Sequence, residues 1–211
     1  RTPVSNLLTQ TQVTLSRARS ADEYRDILAS NAEEFERLSR TIADMLFLAK
    51  AENNQLIPHP EPLELADEVA ELLEFYGVLA EEKEIRLSVV GHGTVSGDRL
   101  MLRRAISNLL SNALRYTPVG GTVTVRIETQ GDEAVKLTVE NTGPCIAAEH
   151  LPRLFDRFYR TDSARQRTTE GSGLGLAITR SILIAHGGDV SVSSAEGITR
   201  FTLSLPVGGQ L

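Results

Sequence analysis

An α+β fold is predicted: an N-terminal helical hairpin forming a dimeric four-helix bundle, then a two-layer α/β sandwich. Three observations carry this prediction. An apolar seam at heptad spacing runs through the first quarter of the chain. Pro58, Pro60 and Pro62 then forbid a continuing helix and favour an extended path. Beyond them, helix-period and strand-period segments alternate to the end of the chain, as expected of helices layered on a sheet.

The hairpin comes first. Val4, Leu8, Thr11 and Leu15 form a short seam, and Ser20-Ala-Asp22-Glu reads as a turn followed by an N-cap. A long helix follows with Tyr24, Leu28, Asn31, Phe35, Leu38, Ile42, Met45 and Ala49 on one seam, where Asn31 at a core position can fix register. Two such helices cannot bury both stripes by themselves. A second copy of the hairpin would complete a four-helix bundle, giving a homodimer; the alternative is that the seam packs on the chain's own second domain. Residues 1–56 are assigned to the hairpin, 57–62 to a linker and 63–211 to the sandwich.

In the sandwich, helices are expected at about 63–81, 98–116 and 173–186. Strands are expected near 85–90, 94–96, 121–129, 134–140, 188–194 and 199–205, in a mixed sheet. A loop-rich segment fills 141–172.

The 211 residues, 41% of them hydrophobic, suffice for a sizeable core. No run approaches the roughly 20 apolar residues that cross a bilayer. The sequence opens mid-element at Arg1, with neither Met nor a signal peptide, as expected of a piece excised from a longer protein. A net charge of −6 argues against direct nucleic-acid binding, so an anionic ligand has to be held by local features. The single cysteine, Cys145, excludes an intramolecular disulfide and fits a reducing compartment.

Candidate chemistry begins in the helix at 98–116. At about 100° per residue, Arg104, Asn108, Asn112 and Arg115 fall within roughly 80° of one another, while Leu102, Ile106, Leu109, Leu110 and Ala113 cluster on the other side. Any amphipathic surface helix has a polar face, but two Asn one turn apart cost helix propensity and invite a reason. Gly171-Ser172-Gly173-Leu174-Gly175-Leu176 is a glycine-rich turn entering a helix, where free N–H groups and the helix dipole favour an anion. It does not follow a strand, so a dinucleotide-binding fold is not implied. Before it, Arg160-Thr-Asp-Ser-Ala-Arg165-Gln-Arg167 reads either as a mobile lid over phosphates or as a disordered surface loop. Asn141-Thr-Gly143-Pro-Cys145 ends a strand in a sharp turn that lets backbone approach a flat ligand.

Taken in order, Asn108 to Asn112, Asn141-x-Gly143, Phe155-Asp-Arg-Phe158-Tyr159-Arg160 and Gly171-x-Gly173-x-Gly175 resemble the N, G1, F and G2 boxes of bacterial sensor histidine kinases. Arg1-Thr2-Pro3-Val4 resembles the tail of that family's His-Glu-Leu-Arg-Thr-Pro box, so the likeness covers essentially the whole chain. Val139-Glu-Asn-Thr-Gly together with Phe155-Asp-Arg-Phe-Tyr-Arg-Thr-Asp looks most like the heavy-metal-sensing branch.

The resemblance implies ATP and Mg2+ as cofactors. Asn112 resembles the Mg ligand and Asn108 a supporting polar residue; Arg115 and Arg160 resemble phosphate contacts and Tyr116 a wall of the nucleotide site. Asn141 stands where an aspartate usually reads the adenine amino group. Its amide oxygen accepts the same hydrogen bond without charge assistance, which implies lower affinity. Gly143 lies in the same box, and Gly171, Ser172, Gly173, Leu174, Gly175 and Leu176 form the turn around the terminal phosphates. Thr2 matches a position linked to phosphatase activity. Cys145 stands in place of that box's second glycine, and two ligands, Cys145 and His150, do not make a closed metal site.

The family's phosphoacceptor histidine and its acidic neighbour would lie just before Arg1. None of His59, His92, His150 and His186 is followed by an acidic residue and Arg-Thr-Pro. The chain is therefore expected to bind ATP without phosphorylating itself.

Gyrase and the mismatch-repair ATPases carry a glutamate where Asn108 stands, and it activates the attacking water. An amide is no general base at neutral pH, whereas a histidine is itself a nucleophile that needs positioning and charge stabilisation. The resemblance thus implies transfer of the γ-phosphoryl group to a hairpin histidine, then to an aspartate of a response-regulator receiver domain. It also implies a cytoplasmic domain of a membrane-anchored protein of the bacterial inner membrane. The alternatives are a non-catalytic nucleotide-binding dimerisation module and a gyrase-type ATPase.

Overall fold

The computed structural model describes residues 2–131, 133–161 and 172–207. Its helices are α1 (Thr2–Leu15), α2 (Ala21–Glu52), α3 (Leu65–Glu82), α4 (Arg99–Tyr116) and α5 (Gly175–Ala185). Its strands are β1 (Glu61–Glu64), β2 (Arg86–Gly91), β3 (Thr94–Gly97), β4 (Thr122–Gln130), β5 (Ala134–Thr142), β6 (Asp189–Ala195) and β7 (Ile198–Pro206). Among the described residues, no helix is long and apolar enough to cross a membrane.

Two compact units result, Arg1–Phe47 and Leu48–Leu211. Their boundary lies inside α2 and not at the prolines, where the hairpin was expected to end. The last turn of α2 goes with the second unit, in which Leu48 is buried and Glu52 pairs with Arg157 at 2.7 Å. The expected 57–62 linker is shorter as well. Glu61 and Pro62 already belong to β1, which pairs antiparallel with β3 in a two-stranded sheet, an edge position that tolerates proline.

In the first unit, Ser20 caps α2 through a reciprocal pair of bonds. Its N–H donates to the Glu23 carboxylate at 2.8 Å, and the Glu23 N–H donates to Ser20 Oγ at 3.2 Å. The single seam expected on α2 splits into two. Tyr24, Ile27, Leu38 and Thr41 are half-buried and Asn31 is buried, whereas Leu28, Phe35 and Ile42, each seven residues apart, form a separate exposed row; Met45 continues the first row and is 44% exposed. A 3.6-residue turn read at heptad spacing merges two adjacent rows, which is why one stripe was expected. Leu28, Phe35 and Ile42 on this row are 56–66% exposed.

In the second unit, strands pair in the order β2-β4-β5-β7-β6, parallel between β2 and β4 and antiparallel elsewhere. Alternation along the strands sorts the two faces. Val123, Val125 and Ile127 on β4, Val135, Leu137 and Val139 on β5, and Phe201, Leu203 and Leu205 on β7 are buried under the helices. From α4, Leu102, Ala105, Ile106, Leu109, Leu110 and Ala113 face this core, the apolar side expected from helical spacing. The intervening strand residues, such as Arg126, Thr138 and Arg200, are half-buried on the other face.

Carboxylates at the helix starts lock this unit's loops. The Glu64 carboxylate accepts from Gly93 N–H at 2.8 Å, from Thr94 Oγ1 at 2.8 Å and from Ala66 N–H at 3.4 Å. The Gly93 bond is the main cause that holds its carboxyl below the usual range, against an opposing push from burial. Asp98 caps α4. Burial pushes its carboxyl up, but the N–H bonds from Met101 and His59, each 3.0 Å, outweigh burial and leave it lowered.

A carboxylate with a depressed folded-state pKa contributes stability that is complete above its unfolded value and is lost as pH falls through the folded one. Unfolding midpoints in denaturant are therefore expected to hold above about pH 5 and to fall below about pH 4, near the unfolded values of Asp and Glu. The double substitution Glu64→Gln, Asp98→Asn should flatten that acid slope. An unchanged slope would show that other carboxylates govern it.

Candidate active site

Four segments expected to carry function converge around the C-terminal half of α4. Asn108 and Asn112 lie one turn apart, both half-buried, with Arg115 half-buried and Tyr116 43% exposed beyond them. Asn108 Nδ2 donates to the Gly175 carbonyl at 3.0 Å, so the polar stripe touches the first turn of α5. A Cβ on Gly175 would lie 3.5 Å from Asn108 Cγ, ordinary van der Waals contact. Leu174 is fully buried and anchors the turn, and Ser172 Oγ accepts the Leu174 N–H at 3.3 Å.

Gly173 joins this turn to the segment after the short 3-10 helix Leu151–Arg153. Its carbonyl accepts the Phe158 N–H at 2.9 Å, its φ is +71°, and a Cβ there would meet Phe158 backbone at 3.0 Å. Glycine is favoured twice over, by conformation and by space. Phe158 itself has φ +61°, an unusual value for an aromatic residue. Nearby, Phe155 packs edge-on against Phe201 with centroids 6.4 Å apart. Tyr159 Oη lies 2.7 Å from His150 Nδ1, and the Arg153 guanidinium sits 4.4 Å from the Tyr159 ring centroid.

Asn141 is buried near the end of β5, with Nδ2 donating to the Thr142 carbonyl at 3.3 Å. The Gly143 N–H donates to the Gly197 carbonyl at 2.9 Å, and a Cβ on Gly143 would fall 2.9 Å from the Tyr116 carbonyl. Backbone therefore passes close to the end of α4, which only glycine allows. Cys145 is exposed, its Sγ accepting the Gly197 N–H at 3.2 Å.

Arg160 is half-buried at the end of its segment. Gly171 and the lid expected from Arg165 and Arg167 lie outside the described residues. Thr2 is the first residue of α1, in the other unit. Sequence reasoning did not single out Thr179 and His186 as ties between helices. Both are polar yet buried, Thr179 fully and His186 to 3% exposure. The available signal was a polar residue on the apolar face of α5.

The residues present fit a magnesium nucleotide. Asn112 carries a neutral amide oxygen one turn from Asn108, and Gly175, which has no Cβ, lies against the Asn108 side chain at the entry to α5. Such a set suits a hard cation that takes its other oxygens from phosphates and water.

A family model described as histidine kinase-, DNA gyrase B- and HSP90-like ATPase matches residues 97–209, from the end of β3 through β7. The chain belongs to this ATPase family. Sensor histidine kinase CusS of Escherichia coli (strain K12) is 56% identical over 207 residues, covering 98% of this chain and 43% of that one. Probable sensor kinase SilS of Salmonella typhimurium is 48% identical, covering 98% of this chain and 42% of that one. The chain thus spans less than half the length of these relatives. Among solved structures, Acinetobacter baumannii histidine kinase AdeS superposes with a TM-score of 0.82 at 25% identity, over 99% of this chain and 97% of that one.

Proposed function

We propose that this chain is the dimerisation and ATP-binding core of a sensor histidine kinase. In this reading it transfers the ATP γ-phosphoryl group to a histidine of a hairpin phosphoacceptor segment, and from there to an aspartate of a response regulator. The single observation that carries the reading is the Asn108 to Gly175 bond, which sets the polar stripe of α4 against the glycine turn of α5. Support also comes from the sensor kinases that match almost the whole chain.

Asn112 would hold Mg2+ and Asn108 would fix the turn that carries Ser172, Gly173 and Gly175. Arg115 and Arg160 would face phosphate oxygens, and Asn141 and Gly143 would border the base beside Tyr116. Bound MgATP supplies an electrophilic γ-phosphorus whose charge the metal helps to neutralise. In the transfer a P–N bond forms at an imidazole nitrogen as the β,γ P–O bond breaks, and ADP leaves.

Asn108 bears on the choice between acceptors. Its Nδ2 is spent on the Gly175 carbonyl, and an amide cannot deprotonate water. None of the four histidines of this sequence fills the acceptor role; His186, for one, has both ring nitrogens engaged. The exposed apolar row on α2, with Val4, Leu8 and Leu15 on α1, suits burial against a second copy in a four-helix bundle. The protein would act in a bacterial inner-membrane system that answers heavy metals, as the likeness to that branch implies.

Phosphate release on incubation with MgATP tests the acceptor. The expected result is saturable nucleotide binding without steady turnover. Steady turnover abolished by Asn112→Ala would favour a gyrase-type ATPase instead.

A further inference from the structure

Helices α4 and α5 run antiparallel, and directional bonds tie them at three levels. At the nucleotide end, Asn108 Nδ2 donates to the Gly175 carbonyl. Midway, Thr179 Oγ1 lies 3.4 Å from the Ala105 carbonyl and 3.0 Å from that of Gly175. At the far end, His186 closes α5 and reaches the start of α4. Its Nδ1 lies 2.8 Å from the Ile182 carbonyl and its Nε2 accepts the Asp98 backbone N–H at 2.9 Å.

The partners fix the ring's state. A carbonyl only accepts and a backbone N–H only donates, so the imidazole is neutral with its proton on Nδ1. Asp98 is also a junction, because its side chain caps α4 through Met101 and holds the His59 N–H of the proline segment. Gly97 makes room for the ring. A Cβ there would fall 2.5 Å from Leu102 Cδ1 and 3.2 Å from His186 Cδ2.

Apolar packing between the helices is non-directional and sets their separation better than their register. Sliding one helix past the other by a turn, about 5.4 Å, would carry the glycine turn away from Asn112. Hydrogen bonds to defined atoms resist such sliding. We propose that His186 is a positioning residue for nucleotide binding: its neutral imidazole fastens the distal ends of α4 and α5 and so holds the glycine turn in register with Asn108 and Asn112. This rests on the nucleotide reading above.

Calorimetric titration of the chain with the ATP analogue AMP-PNP and Mg2+ tests it. His186→Phe keeps a flat aromatic ring, somewhat larger than the imidazole, and removes both nitrogens, whereas His186→Gln offers an amide oxygen to the Asp98 N–H. His186→Phe and Gly97→Ala are each expected to weaken binding about five- to tenfold, with cooperative unfolding retained, and His186→Gln to stay within about twofold of the parent. A folded His186→Phe that binds like the parent overturns the proposal, and so does a His186→Gln as weak as His186→Phe. If His186→Phe does not fold, Gly97→Ala set against His186→Gln decides in the same way. A parent chain that binds no analogue at all overturns the nucleotide reading and this proposal with it.

Discussion

Asn112→Ala is expected to abolish Mg-dependent nucleotide binding while leaving the fold intact. Asn112 is half-buried on the polar stripe of α4, away from the buried residues that hold that helix to the sheet. Its loss therefore opens no core cavity, and alanine raises helix propensity. Losing an outer-shell partner of a metal site costs about 10–100-fold in affinity or activity, and losing a direct ligand should cost at least the upper end of that range. Titration of AMP-PNP with and without Mg2+ separates the effects. Affinity with Mg2+ should fall to the Mg-free level, and retention of a Mg-dependent increment would remove Asn112 from the metal site.

The second large effect is expected at Asn108. Asn108→Asp is isosteric, but it replaces the amide that donates to the Gly175 carbonyl with a carboxylate that only accepts. Two oxygens would then face each other where one hydrogen bond stood, a change of about 1–3 kcal/mol for a partly buried group. Nucleotide affinity should fall about tenfold or more. The added carboxylate should not bring steady ATP hydrolysis, because the turn it would act beside has been displaced. Wild-type affinity in Asn108→Asp would mean that the bond is incidental to the site, and rapid phosphate release would mean that the amide alone had suppressed hydrolysis.

Much of the fold was legible because its long elements obey one period each. The alternation in β4, β5 and β7 and the two-sided pattern of α4 follow from single-residue spacing, and the observed bounds differ from the expected ones by about one or two residues. What spacing could not show were features set by a partner element. β1 exists because β3 lies beside it, although Pro62 argues locally against a strand. The division of the α2 seam into a half-buried row and an exposed row depends on where α1 lies.

The candidate site divides in the same way. Asn108, Asn112 and the glycine turn stand out by residue type, and Gly143 and Gly173 by sites where a Cβ would meet backbone at 2.9 and 3.0 Å. Thr179 and His186 look like ordinary residues of a helix until α4 is set against α5. Only then do the Ala105 carbonyl and the Asp98 N–H appear opposite them. The positive φ of Phe158 is likewise imposed from outside, in a segment bonded to the Gly173 carbonyl.

Mixing two copies tests the central claim most directly. One is the chain as it stands, with its nucleotide site intact. The other carries His-Glu-Leu ahead of Arg1, supplying a phosphoacceptor, together with Asn112→Ala to disable its own site. With radiolabelled γ-phosphate on ATP and Mg2+ present, label is expected on the histidine-bearing copy, acid-labile and base-stable as a phosphohistidine is, and absent when both copies carry Asn112→Ala. Label that persists in the doubly substituted mixture would contradict the account, and so would failure of the extended chain with Asn112 restored to label itself.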